Sequence, residues 1–295
     1  MSKTFKAYIY CIITIFLFST LELCGKLLGN GVSPNSVTVY RFFYGGIFLF
    51  FLYKFIEKSP ESLKISDYLK IVLSGILNVC ISMMFLQLSI FYGKATIAAV
   101  LISANPLFVV FFAWIILKEK MDIKKTTALV LGITGIVVLV YGSGVFDNSE
   151  NSKNISLGII FGLLSSLTFA LYTVLSKKYI MKYGNLRFNS LSFFWSALFL
   201  ALAYSSFGDY PIYEFTIKNT SILLYLGIFV SGVAYFLYGE ALKTISAFEG
   251  ASFFMLKPVF AALMNYIIIK ETLNITQIIG IVIILSGMMQ FSQKN

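Results

Sequence analysis

Residues 95–119, ATIAAVLISANPLFVVFFAWIILKE, and residues 247–271, AFEGASFFMLKPVFAALMNYIIIKE, align without a gap. Pro106 falls on Pro258, Lys118 on Lys270 and Glu119 on Glu271. The same offset of 152 pairs Gly75 with Gly227 and Gly135 with Gly287, while an offset of 151 pairs Phe18 with Phe169 and Lys26 with Lys177. Each stretch is an apolar run of the length that crosses a bilayer, about 20 residues, with a proline in its middle. The chain therefore reads as two related halves: 1–145, an outer linker at 146–155, and 156–295. Duplication kept only for packing is the plainer alternative.

Around this repeat the composition is that of a membrane protein. Of 295 residues, 58% are hydrophobic and 12% charged, with a mean hydropathy of +0.86; an average soluble domain carries about 25% charged residues. Hydropathy predicts ten spans, at 8–28, 36–55, 68–91, 96–117, 125–141, 156–179, 188–207, 221–241, 248–269 and 275–291. These runs lack the period-two alternation of a barrel, so the predicted fold class is an all-α integral membrane protein. Five spans per half is an odd number, so the second half crosses the membrane in the opposite sense to the first. Inverted repeats of this kind surround a midplane site in alternating-access carriers.

The net charge of +10 raises the question of nucleic acid, and the placement of the basic residues answers it. With the N-terminus inside, the opposite side holds only Lys26, Lys94, Lys153, Lys218 and Lys270. Arg41 and Lys257 lie within spans, and the other 16 of the 23 basic residues fall on the cytoplasmic side. That bias is the positive-inside rule, which places both termini in the cytoplasm of a cell-membrane protein and leaves nothing for nucleic acid to explain.

Several chemistries are excluded. There is no His, hence no Ser-His or Cys-His pair and no imidazole metal ligand or proton shuttle. No phosphate-binding G-x-x-x-x-G-K-[ST] loop is present, so any pumping draws on a gradient rather than on built-in ATP hydrolysis. Cys11, Cys24 and Cys80 sit in apolar runs and read as small hydrophobes. The expectation is no enzyme, no catalytic residue, no metal and no cofactor. The sequons at Asn154, Asn219 and Asn274 lie at helix starts in an Asn-rich chain and read as chance matches.

Charged side chains at membrane depth cost at least about 2.5 kcal/mol and so mark function. Three spans carry one. Glu22 has Lys26 four residues on, an ion-pair spacing; if Lys26 reaches outward instead, Glu22 is a proton-coupling carboxylate. Arg41, about a turn inside its span, serves either a structural link or the substrate. Lys257 precedes Pro258, and its repeat counterpart Asn105 precedes Pro106. A mid-helix proline lacks an N–H and leaves the carbonyl four residues earlier, here Ile102 and Phe254, as an acceptor. Paired helix breaks in corresponding positions point to a binding site, against the alternative that both prolines only kink helices for packing. Asn78, Tyr172, Tyr235 and Asn265 are the mid-span polar and aromatic residues expected around it. Glu119 and Glu271 each stand before the next helix and are expected to complement its N-terminal dipole. Glu240 and Glu249, around a turn, read as solvated.

Ten spans in two halves, with N-P-L-F at Asn105 to Phe108 and K-P-V-F at Lys257 to Phe260, each followed by Glu thirteen residues after the proline, resemble the EamA-type carriers of the drug/metabolite transporter superfamily. The resemblance extends over nearly the whole chain and implies a carrier of small molecules. Many members have Glu before the second proline, where this chain has Lys257, reversing the local charge. Glu22 to Gly25 also resembles the E-x-x-G of the small multidrug resistance proteins, in which that Glu binds protons and cationic drugs. Two readings follow. One is a secondary transporter exporting a small polar metabolite, an amino acid or similar zwitterion or anion, because Arg41 and Lys257 outnumber Glu22. The other is a proton-coupled exporter of cationic drugs through Glu22. Either works in the bilayer as a monomer or homodimer, with protons or another ion as the coupling partner.

Overall fold

The computed structural model describes residues 2–56, 63–92, 98, 101–120, 122–142, 154–208, 210–264, 266–267 and 274–292. Helix accounts for almost all of these. The helices are α1 (Lys3–Leu28), α2 (Pro34–Ile56), α3 (Ile65–Gly75), α4 (Met83–Tyr92), α5 (Asn105–Phe112), α6 (Ile123–Gly142), α7 (Ile155–Tyr183), α8 (Asn185–Ser206), α9 (Ile217–Tyr225), α10 (Ala234–Leu242), α11 (Ala247–Ser252), α12 (Lys257–Met264) and α13 (Ile275–Ser292). Among the described residues the extended pairing is a single bridge between Val32 and Tyr213. Among the described residues, six rods are long and apolar enough to cross a bilayer: Lys3–Gly25, Pro34–Ile56, Ile65–Tyr92, Ser156–Tyr183, Asn185–Ser206 and Ile217–Leu242. Shorter apolar helices cover Leu101–Leu117 and Ile275–Gly287.

Helix starts follow from local chemistry. Ser2 accepts the Phe5 N–H at 3.2 Å, and α2 opens on Pro34, whose missing N–H is no loss in a first turn. Asn154 caps α7 through Leu157 N–H at 3.1 Å. Asn274 and Gln277 cap α13 reciprocally, at 2.8 and 2.9 Å. Two of the three sequons therefore hold helix caps.

Two rods contain segments wound as π-helix, Ile76–Ser82 between α3 and α4 and Leu226–Val233 between α9 and α10. They occupy corresponding places in the two repeats. A third π segment, Ala113–Leu117, extends α5 and ends on Lys118, whose φ of 57° is left-handed.

The chain forms two compact units: Met1–Met84 with Leu175–Thr244, and Phe85–Val174 with Ile245–Asn295. Each unit takes helices from both repeats. The first centres on aromatic rings, with Phe193 4.8 Å from Tyr235 and 4.9 Å from Phe42, centroid to centroid. In that unit the Thr14 hydroxyl ties α1 to α10 by donating to the Ala234 carbonyl at 3.1 Å. The second unit has a core of small residues: Val109, Ala113, Ala170, Val174, Ala247 and Ala251. There α6 and α13 pack through glycines, and a Cβ on Gly135 would lie 2.8 Å from the Ile284 nitrogen. All three cysteines are buried thiols.

Candidate functional site

The predicted site residues fall into both units. In the first, Asn78 is fully buried within the π segment Ile76–Ser82. Its amide donates to the Tyr235 hydroxyl at 3.4 Å, and the Tyr235 ring lies 5.0 Å from that of Phe18. The other end of the amide, Oδ1, meets no partner among the described residues. Arg41, 5% exposed, donates from Nη2 to the Met83 sulfur at 3.0 Å and sets its guanidinium 4.5 Å from the Phe42 ring centroid. This arrangement ties α2 to α4 through a cation, a soft sulfur and an aromatic face. Glu22 belongs to α1, but its side chain, like that of Lys26, lies outside the described residues.

The second unit holds Asn105, Tyr172, Lys257 and both prolines. Asn105 is fully buried at the first residue of α5. Its Nδ2 donates to the Ser166 carbonyl of α7 at 3.1 Å. A carbonyl can only accept, so this bond fixes which way round the amide sits. Asn105 Oδ1 and the Ser166 hydroxyl are buried with no partner among the described residues. Ser166 was not expected from the sequence; a mid-span Ser resembles any residue that bonds back along its own helix, as Thr173 does to Phe169. Beside it, Phe169 packs edge-on against Phe254 at 5.3 Å and lies 6.0 Å from Tyr172. Lys257 begins α12 and is only 7% exposed. Asn265 lies outside the described residues.

Both prolines interrupt their helices, in different ways. Before Pro106 the chain makes a turn at Ala104, with φ −78° and ψ 3°, bonded Ala104 N–H to Leu101 carbonyl at 3.2 Å. Before Pro258 it tightens into 3₁₀-helix over Phe253–Leu256. One expectation is corrected here. The Phe254 carbonyl, expected to be left open by Pro258, accepts the Lys257 N–H instead. Shortening the bond from four residues to three recovers the acceptor that proline would have orphaned.

A second correction concerns Glu119. The N-terminus of the next helix, α6, is capped by Asp122 through Lys125 N–H at 2.8 Å. The Glu119 carboxylate instead receives the Ala247 N–H at 2.9 and 3.0 Å, at the start of α11 in the other repeat. Sequence proximity had suggested the adjacent helix, but the carboxylate reaches one 128 residues away. Nearby, Glu249 closes a capping box with Ser246 and pairs with Lys125 at 3.7 Å. Glu240, read as solvated, accepts both Asn185 Nδ2 at 2.8 Å and Lys243 Nζ at 2.7 Å.

The model of the EamA-like transporter family matches this chain twice, over residues 5–141 and 156–292. An uncharacterized transporter of Clostridium kluyveri is 35% identical over 286 residues, covering 96% of this chain and 91% of its own. A WAT1-related protein of Arabidopsis thaliana is 26% identical, covering 97% of this chain and 84% of its own. A crystal structure with 18% identity superposes with a TM-score of 0.81 over 97% of this chain and 96% of its own, a likeness of fold. With the family's model covering both halves nearly end to end, the chain belongs to the EamA-like transporter family and is a membrane transporter.

Proposed function

We propose that the chain is a secondary carrier working by alternating access, and that it exports a small polar metabolite bearing a carboxylate, an amino acid or similar zwitterion or anion. The observation that carries this is the buried acceptor Asn105 Oδ1 beside the Ser166 hydroxyl, both without a partner among the described residues. Leaving a buried polar atom unmade costs about 1–3 kcal/mol, and lipid offers it nothing. Such a pair is retained when a transient occupant completes it. Asn105 Oδ1 accepts from an ammonium or hydroxyl donor, and the buried Lys257 ammonium of the same unit attracts a carboxylate. Those are the two ends of a zwitterion. Phe169, Tyr172 and Phe254 supply the apolar flank that excludes water and strengthens both contacts. In this reading both termini are cytoplasmic and the carrier works in the cell membrane, with no catalytic step.

The test is counterflow of radiolabelled amino acids in proteoliposomes. Lys257→Ala should raise the half-saturating concentration of the transported amino acid at least tenfold, about 1.4 kcal/mol. Asn105→Ala should do the same for substrates with a free ammonium. Unchanged affinity in both variants, in protein that unfolds at the native temperature, overturns the proposal.

A further inference from the structure

The outer face of α5 carries a groove that the transport site does not use. It has a volume of about 500 Å³ and is lined by Leu107, Val110, Phe111, Trp114 and Lys120. Leu107, Val110 and Phe111, spaced i, i+3 and i+4, form one stripe of α5, and Trp114 of the π segment continues it along the groove. The stripe is open, with Leu107 43%, Phe111 55% and Trp114 64% exposed. Its charged end is built by the backbone. Lys118 N–H makes the last π bond, to the Ala113 carbonyl, and its left-handed backbone ends the segment; two residues later Lys120 lines the same groove as Trp114. A non-glycine residue in this conformation costs about 1–2 kcal/mol, so the reversal is held against strain.

Among the described residues, the charges around that end are unbalanced. Glu119 is turned to the Ala247 N–H, Asp122 to the Lys125 N–H, and Glu249 pairs with Lys125 at 3.7 Å. Among the described residues Lys118 and Lys120 make no ion pair, and both are exposed. An apolar stripe ending in a tryptophan and then in unneutralised lysines matches the depth profile of a phospholipid, with chains, interface and phosphate in that order. A second copy of the chain suits the face less well. Two-fold contact about the membrane normal would bring the same lysines together at the same depth.

We propose that this groove is a binding site for one anionic phospholipid, with its acyl chains along Leu107, Val110, Phe111 and Trp114 and its phosphate on Lys120. The chain has two tryptophans, so Trp195→Phe leaves Trp114 as the sole reporter in the full-length protein. In vesicles, brominated phosphatidylglycerol should quench Trp114 at least twofold more than the same mole fraction of brominated phosphatidylcholine. Lys120→Gln should abolish the difference and Lys124→Gln should leave it. Equal quenching by both lipids overturns the site, and equal loss in both lysine variants shows only a diffuse basic surface and also overturns it. No quenching by either lipid, together with a two-chain mass, means that a second copy covers the face. Native mass spectrometry of the unsubstituted chain gives an independent reading. It should retain phosphatidylglycerol over phosphatidylcholine, and Lys120→Gln should not; a chain without that preference overturns the proposal.

Discussion

Glu119 shows how a single carboxylate can join the repeats. Both of its oxygens face the Ala247 N–H, at 2.9 and 3.0 Å. The N-terminus of a helix carries partial positive charge from unpaired N–H groups, and a carboxylate there contributes about 0.3–2 kcal/mol. Glu119→Gln keeps the shape and removes the charge, so it should lower stability by about 1 kcal/mol. Glu119→Ala also removes the hydrogen-bond acceptor and should cost more. Thermal unfolding in detergent measures both, and an unshifted midpoint in Glu119→Ala would show that Ser246 and Glu249 cap α11 without help. The contrast with Asn105 is informative. Glu119 is satisfied by the folded chain, whereas Asn105 Oδ1 has no partner among the described residues. The first pattern holds a structure together, and the second is the one on which the proposed substrate site rests.

The glycines that align between the repeats lie at helix crossings. A Cβ on Gly75 would run into the Ser192 carbonyl, and one on Gly287 would lie 3.1 Å from the Ala128 carbonyl. On Gly135 it would lie 2.8 Å from the Ile284 nitrogen and 2.9 Å from the Gly280 carbonyl. These neighbours are backbone and cannot turn aside. Gly135→Ala should therefore destabilise by about 1–3 kcal/mol, the usual cost of overpacking. Gly25 meets nothing within 4 Å, so Gly25→Ala should be neutral or gain up to about 1 kcal/mol from helix propensity. Comparing the two variants by chemical unfolding isolates the crossing from propensity, and equal behaviour would remove the packing explanation. The helix positions were legible because hydropathy reports membrane depth directly, and the prolines marked both breaks. The π segments were not legible, since Ile76–Ser82 and Leu226–Val233 are as apolar as ordinary helix. Winding depends on which neighbour a residue packs against, and a hydropathy profile does not carry that. Asn78 and Tyr235 were readable as polar positions, but their meeting was not, because they are separated by 157 residues.

The repeats and the compact units divide the chain differently, and the hydrogen bonds explain why. In the first unit Asn78 of the first repeat meets Tyr235 of the second, and Thr14 meets the Ala234 carbonyl. In the second unit Asn105 meets the Ser166 carbonyl, and Glu119 meets the Ala247 N–H. The aromatic centre of the first unit likewise sets Phe42 from one repeat against Phe193 from the other at 4.9 Å. Neither repeat alone supplies the partners of these groups or both sides of the aromatic centre, and in a bilayer no solvent replaces a missing partner. The partners just named all lie outside the connection between α6 and α7, whose sequence is polar and turn-rich. Cutting the chain between Asn148 and Ser149 should therefore be tolerated when both pieces are made together. The two fragments should purify as one complex that transports and unfolds within a few degrees of the intact protein, since rejoining them costs mainly association entropy. Expressed singly, each fragment should be degraded or aggregate. A lone fragment with a cooperative unfolding transition would mean that one repeat closes its own core, and the contacts across the repeats would then be docking contacts between finished domains.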